Sequence, residues 1–128
     1  MPFYSWMFTC PANSTQEWRV EVEGEAVTRV HVGFPPGPQG LLKVAVFYGE
    51  KKIYPSLEEL WFTGDDVELA FDDYWELPET PCPLRIVAVN EDEVYEHLFY
   101  VRLKTEPLKV KPTVKFRVTP EGFVEVMV

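Results

Sequence analysis

At 128 residues and 46% hydrophobic content the chain suits one domain with a single core. Its net charge of −9 disfavours nucleic acid and anionic lipid as partners. No run approaches the roughly 18 uninterrupted apolar residues of a membrane span, and Met1-Pro2-Phe3 lacks the basic start of a signal peptide, so a soluble product is expected.

Taken in order, Phe3 to Thr9 is aromatic-rich and strand-like, stopped by the turn residues Cys10-Pro11-Ala12-Asn13-Ser14. Trp18 to Glu23 alternates strictly until Gly24, and Val30, Val32 and Phe34 then share a face. Pro35 to Gly40 cannot join a ladder and reads as a rigid loop. Leu42, Val44, Val46 and Tyr48 follow at period two, and Gly49 to Lys52 reads as a hairpin turn into Ile53-Tyr54-Pro55. Ser56 to Leu60 offers one helical turn, with Ser56 as N-cap and Glu59 at the capping-box position. Leu60 to Thr63 and Val67 to Phe71 read as short strands around Gly64-Asp65-Asp66, and Asp72 to Pro83 as a long loop holding Tyr74-Trp75.

Leu84 to Val89 is apolar on both faces near its centre, which predicts a central strand covered on each side. A polar turn, Asn90 to Glu96, separates it from the run His97 to Leu103. Beyond Pro107 the pattern changes. Val110, Val114, Phe116 and Val118 fall on one face, Lys109, Lys111, Lys115 and Arg117 on the other, and Pro120-Glu121-Gly122 turns the chain into a final strand. About eight short strands with almost no helix predict an all-β antiparallel sandwich of jelly-roll or other Greek-key type over residues 1–106, with a C-terminal β-hairpin at 107–128.

The charge is uneven. Residues 1–103 carry 7 basic against 18 acidic side chains, a net of −11, while residues 104–128 carry 5 against 3, a net of +2. An isolated hairpin is marginal in water, so its apolar face needs cover. That cover is its own sandwich or a neighbouring subunit, where the basic face would meet acidic loops. Val110, Val114, Phe116, Val118, Lys109, Lys111, Lys115 and Arg117 are therefore the candidate assembly residues, with self-association as the expected partnership.

Candidate chemistry is sparse. Asn90-x-Asp92 followed by His97 is how a cupredoxin presents its first ligand, but copper also needs a second His, a Cys thiolate and usually a Met on a late loop. After His97 there is neither His nor Cys. No metal and no cofactor is expected, and Asn90, Asp92 and His97 read as residues that structure a turn. Cys10 and Cys82 lie far apart and read as buried thiols or, as the other possibility, one disulfide. The acidic groups Asp65-Asp66, Asp72-Asp73 and Glu91-Asp92-Glu93 lack EF-hand spacing and read as a solvated rim. Tyr74 and Trp75 are the candidate ligand-binding residues, an aromatic platform for a glycan in an alternative, ligand-binding reading. Asn and Gln number four in all, a composition compatible with a thermophilic source.

The order Pro11-Ala12-Asn13-Ser14-Thr15, Phe34 to Val44, Ile53-Tyr54-Pro55, Asn90-Glu91-Asp92 and His97 resembles a group of short β-sandwich proteins encoded among phage and viral structural genes. The resemblance spans residues 1–106, leaves out the basic hairpin, and implies a non-enzymatic role associated with a virion or its assembly.

Overall fold

The computed structural model describes residues 3–108, 115–118, 120–122 and 124–127. Eight strands build the body: β1 (Phe3–Cys10), β2 (Ser14–Val22), β3 (Ala26–Phe34), β4 (Leu42–Tyr48), β5 (Lys51–Tyr54), β6 (Val67–Glu76), β7 (Cys82–Asn90) and β8 (His97–Glu106). One sheet has the order β1-β8-β3-β6 and the other β2-β7-β4-β5, every pairing antiparallel. First pairs with eighth, second with seventh, third with sixth and fourth with fifth, as in one long hairpin rolled into two layers. This nesting is the jelly-roll form of the β-sandwich.

The period-two pattern decides which side chains lie between the layers. In β7, Cys82, Leu84, Ile86, Ala88 and Asn90 point inward, and in β8, His97, Phe99, Val101, Leu103 and Thr105 do the same. Val30, Val32 and Phe34 of β3 and Leu42, Val44 and Val46 of β4 complete the centre, each at 1% exposure or less. Removing a side chain of this kind from water contributes about 1.5–3 kcal/mol. Phe8, Trp18 and Phe99 form a ring cluster beside it, with Phe8 stacked on Trp18 at 4.6 Å between centroids.

Four expectations need correction. Residues 72–76 are not loop but the second half of β6, pairing with β3 as far as Ala26↔Glu76. Residues 60–63 are not a strand: they make one bridge, Phe62 to Val44, through two 2.9 Å backbone bonds. Residues 56–60 hold a turn closed by the Leu60 N–H on the Leu57 carbonyl rather than helix, because the chain must return at once to the edge of β4. β7 is central in its sheet, but Arg85, Val87 and Val89 on its outer face are only half-buried, since a two-layer sandwich covers one face of each sheet.

β9 (Lys115–Val118) and β10 (Val124–Met127) form a separate two-stranded antiparallel sheet. Lys109, Val110, Lys111 and Val114, assigned above to its two faces, lie outside the described residues. Among the described residues no helix is long and apolar enough to cross a membrane.

Candidate functional site

Three places in the body gather polar or aromatic side chains, and they differ in what is left available to a ligand. The first closes one end of the sandwich. Asn90 and His97 are the inward positions at the end of β7 and the start of β8, so each is buried where an apolar core would leave backbone groups unpaired. The Asn90 amide donates to the carbonyls of Cys10, Pro11 and Tyr95 at 3.0–3.2 Å, and its oxygen accepts the Asp92 N–H at 3.0 Å. Asp92 Oδ1 accepts the backbone N–H groups of Val94 and Tyr95, while Oδ2 lies 2.8 Å from His97 Nε2. The Val94 N–H first, then His97 and the Tyr95 N–H, hold the Asp92 carboxyl below its ordinary value.

Cys10 lies opposite His97 in the β1–β8 register, which sets a thiol, an imidazole and a carboxylate in one neighbourhood. The thiol, however, is directed at the Ala88 carbonyl and at Ser14, and burial raises its pKa. A nucleophile needs the thiolate, so this arrangement stabilises a corner. Both cysteines are free, and burial pushes Cys82 up to about 11. The neighbouring loop is tied down by Asp65, whose Oδ1 accepts the Gly37 and Gln39 N–H groups at 2.7 and 3.1 Å. An Asp following a single Gly gives no hint in sequence of so distant a partner.

The second place is the outer face of the β1-β8-β3-β6 sheet. Register aligns Met7, Tyr100, Gly33 and Glu68 in one row, Ser5, Arg102, His31 and Ala70 in the next, and Phe3, Lys104, Arg29 and Asp72 in a third. His31 Nδ1 meets Glu68, Tyr100 donates to the other Glu68 oxygen at 2.8 Å, Arg29 donates to His31 Nε2 at 3.1 Å and to Asp72 at 2.7 Å, and Arg102 lies over the Tyr100 ring. The Tyr100 ring lies flat across Gly33: a Cβ there would fall 1.9 Å from it. Each of these donors and acceptors is satisfied within the network.

The third place is where the sheet edges β5 and β6 meet. A cleft of about 450 Å³ opens there, walled by Phe62, Phe71 and Trp75 and by the Tyr54–Asp73 pair. Leu69, Phe71 and Trp75 are the half-buried positions of β6, Asp73 is exposed where the pairing with β3 shifts between Arg29↔Asp72 and Val27↔Trp75, and Tyr54 donates to Asp73 Oδ2 at 2.6 Å. Burial first and the Asp73 bond second raise the Tyr54 pKa, keeping the phenol a neutral donor. Trp75 is braced edge-on by Tyr48, itself held by a 2.5 Å bond to Glu79. Tyr74 lines a different hollow, beside Arg29 and Lys104, while Trp75 joins the cleft. The two rings form no joint platform.

Among the described residues no three His, Cys, Asp or Glu side chains converge as a metal site. The acidic groups are engaged singly: Asp65 with the loop, Asp72 with Arg29, Asp73 with Tyr54 and Glu91 with Lys43 at 2.5 Å.

No protein-family description matches the chain, and no curated protein sequence does. Among solved structures it is similar to a de novo designed double-stranded β-helix determined by NMR, at 17% identity and TM-score 0.39 over 79% of this chain and 99% of that one. It is also similar to the crystal structure of the Yersinia pseudotuberculosis-derived mitogen, at 9% identity and TM-score 0.39 over 81% of this chain and 86% of the other. Neither likeness bears on function.

Proposed function

We propose that the chain is a non-enzymatic interaction module that assembles with further copies of itself through its C-terminal hairpin. One observation carries this reading: among the described residues both four-stranded sheets are built from strands that end by Glu106, and β9–β10 belong to neither. Two strands alone are marginal in water, so such a hairpin gains its stability from whatever covers it. Its segment carries +2 against the −11 of the body, which favours an acidic surface as that cover. A second copy supplies one. The resemblance to phage and viral structural proteins points the assembly toward a virion component.

Light scattering tests the proposal. The native chain should run as a defined oligomer, and both deletion of residues 107–128 and replacement of Lys109, Lys111, Lys115 and Arg117 by Glu should yield monomers. A monomeric native protein, or a truncated chain that keeps the native oligomeric mass, would defeat it.

A further inference from the structure

The β5–β6 cleft has a feature that a gap between sheet edges does not require. On the far side of Lys51, Lys52 and Ser56 a second cavity of about 300 Å³ shares those three residues and is walled by Trp61 and Phe47. Two indole-walled hollows therefore adjoin across one short strand. We propose that together they bind a neutral oligosaccharide of at least two rings, one seated against Trp75 and the next against Trp61.

The chemistry of the lining selects that class. A pyranose presents an apolar C–H face, which an aromatic ring covers, and a rim of hydroxyls that both donate and accept. Donors and acceptors occur here in the same small space. Tyr54 occupies one oxygen of Asp73, leaving Oδ1 as an acceptor, and Ser56 and the Lys51 ammonium stand at the shared rim. Lys52 is already committed: its ammonium donates to the carbonyls of Glu58 and Leu60 at 2.6 and 2.5 Å and lies 5.6 Å from the Trp61 ring centre. It fixes the Trp61 hollow instead of neutralising a ligand. Across the two hollows the carboxylates of Asp73, Glu50 and Glu58 stand against the ammoniums of Lys51 and Lys52, so the lining has no positive excess to recruit an anion, and a wholly apolar ligand would strand these groups. Volumes of 300 and 450 Å³ lie at the lower end of the range of small-molecule sites. The walls are set before any ligand arrives, since Tyr48 braces Trp75 and Phe47 packs 6.0 Å from Trp61. That lowers the ordering cost of binding.

The experiment is a 1H–15N titration of the full chain with cello-, malto-, xylo- and manno-oligosaccharides of two to four rings, and with the matching methyl monosaccharides. Saturable shifts are expected at both the Trp75 and Trp61 indole N–H groups and at the amides of residues 51–56, with one oligosaccharide series binding at least about tenfold tighter than its monosaccharide. Trp61→Ala and Trp75→Ala should each weaken that binding roughly tenfold. Because Trp75 also supports Tyr48, the exposed Lys51→Ala and the near-isosteric Asp73→Asn serve as variants that keep the fold, and each should weaken binding by about threefold or more. No shift at these residues with any sugar at millimolar concentration, shifts confined to another surface, or unchanged affinity in folded Lys51→Ala and Asp73→Asn would overturn the proposal.

Discussion

The two histidine–carboxylate pairs share their chemistry and have different effects on the molecule. His97 and Asp92 are 8% and 14% exposed, and His31 and Glu68 are 18% and 37% exposed. The larger difference lies in the remaining lone pairs of each carboxylate. Those of Asp92 go to backbone N–H groups, so the pair fixes the path of the chain. Those of Glu68 go to Tyr100, so that pair arranges side chains on a sheet whose backbone is already bonded. One kind of pair organises a loop at the first site and a surface at the second.

The sharpest way to break this contrast is Asn90→Ala, which removes the amide donor from the Cys10, Pro11 and Tyr95 carbonyls at the loop end, of which Pro11 keeps the Ser14 hydroxyl. A loss of about 2–3 kcal/mol in urea unfolding is expected, and a loss below about 0.5 kcal/mol would show that the corner does not depend on that amide. On the sheet face, Gly33→Ala should cost about 2 kcal/mol because the new methyl displaces the Tyr100 ring. In a Tyr100→Ala background most of that penalty should vanish; if it persists, the backbone rather than the ring forbids the methyl.

Acid unfolding sharpens the contrast. Backbone N–H groups and His97 lower the Asp92 carboxyl, and His31 and Tyr100 lower that of Glu68. A carboxyl lowered on folding adds stability that is fully present above its unfolded value near about 4 and is lost as pH falls through the folded value. Asp92→Asn should therefore flatten the acid limb of the stability curve, and Glu68→Gln should flatten it less. An equal effect from both would erase the distinction. The smallest effect is that of Glu68→Gln at neutral pH, below about 1 kcal/mol because the pair is partly solvated.

The strands were legible where alternation is clean: Leu42 to Tyr48 and Val30 to Phe34 lie as their period requires. β6 was half-legible. Leu69 and Phe71 alternate as a strand requires, but the pairing with β3 shifts between Asp72 and Trp75 and Asp73 is exposed there, so the alternation breaks and the segment reads as loop. The partner of Asp73 is the Tyr54 hydroxyl, 19 residues away on the edge strand of the other sheet. The cleft was invisible for the same reason, since Trp75, Asp73, Lys51 and Trp61 meet only once two sheet edges are brought together. Asn90, Asp92 and His97 could be singled out because five of their hydrogen bonds stay within residues 90–97. Their ties to Cys10 and Pro11 depend on the fold.

The nested pairing has a consequence for synthesis. Phe3 ends up beside Lys104, and Cys10 beside His97, so β1 leaves the ribosome ahead of the rest of the body and waits for the last of its strands before it has a partner. Until then β1 exposes Tyr4, Trp6 and Phe8 on the face it will bury, and the strand as a whole carries no acidic or basic side chain to keep it apart from other nascent chains.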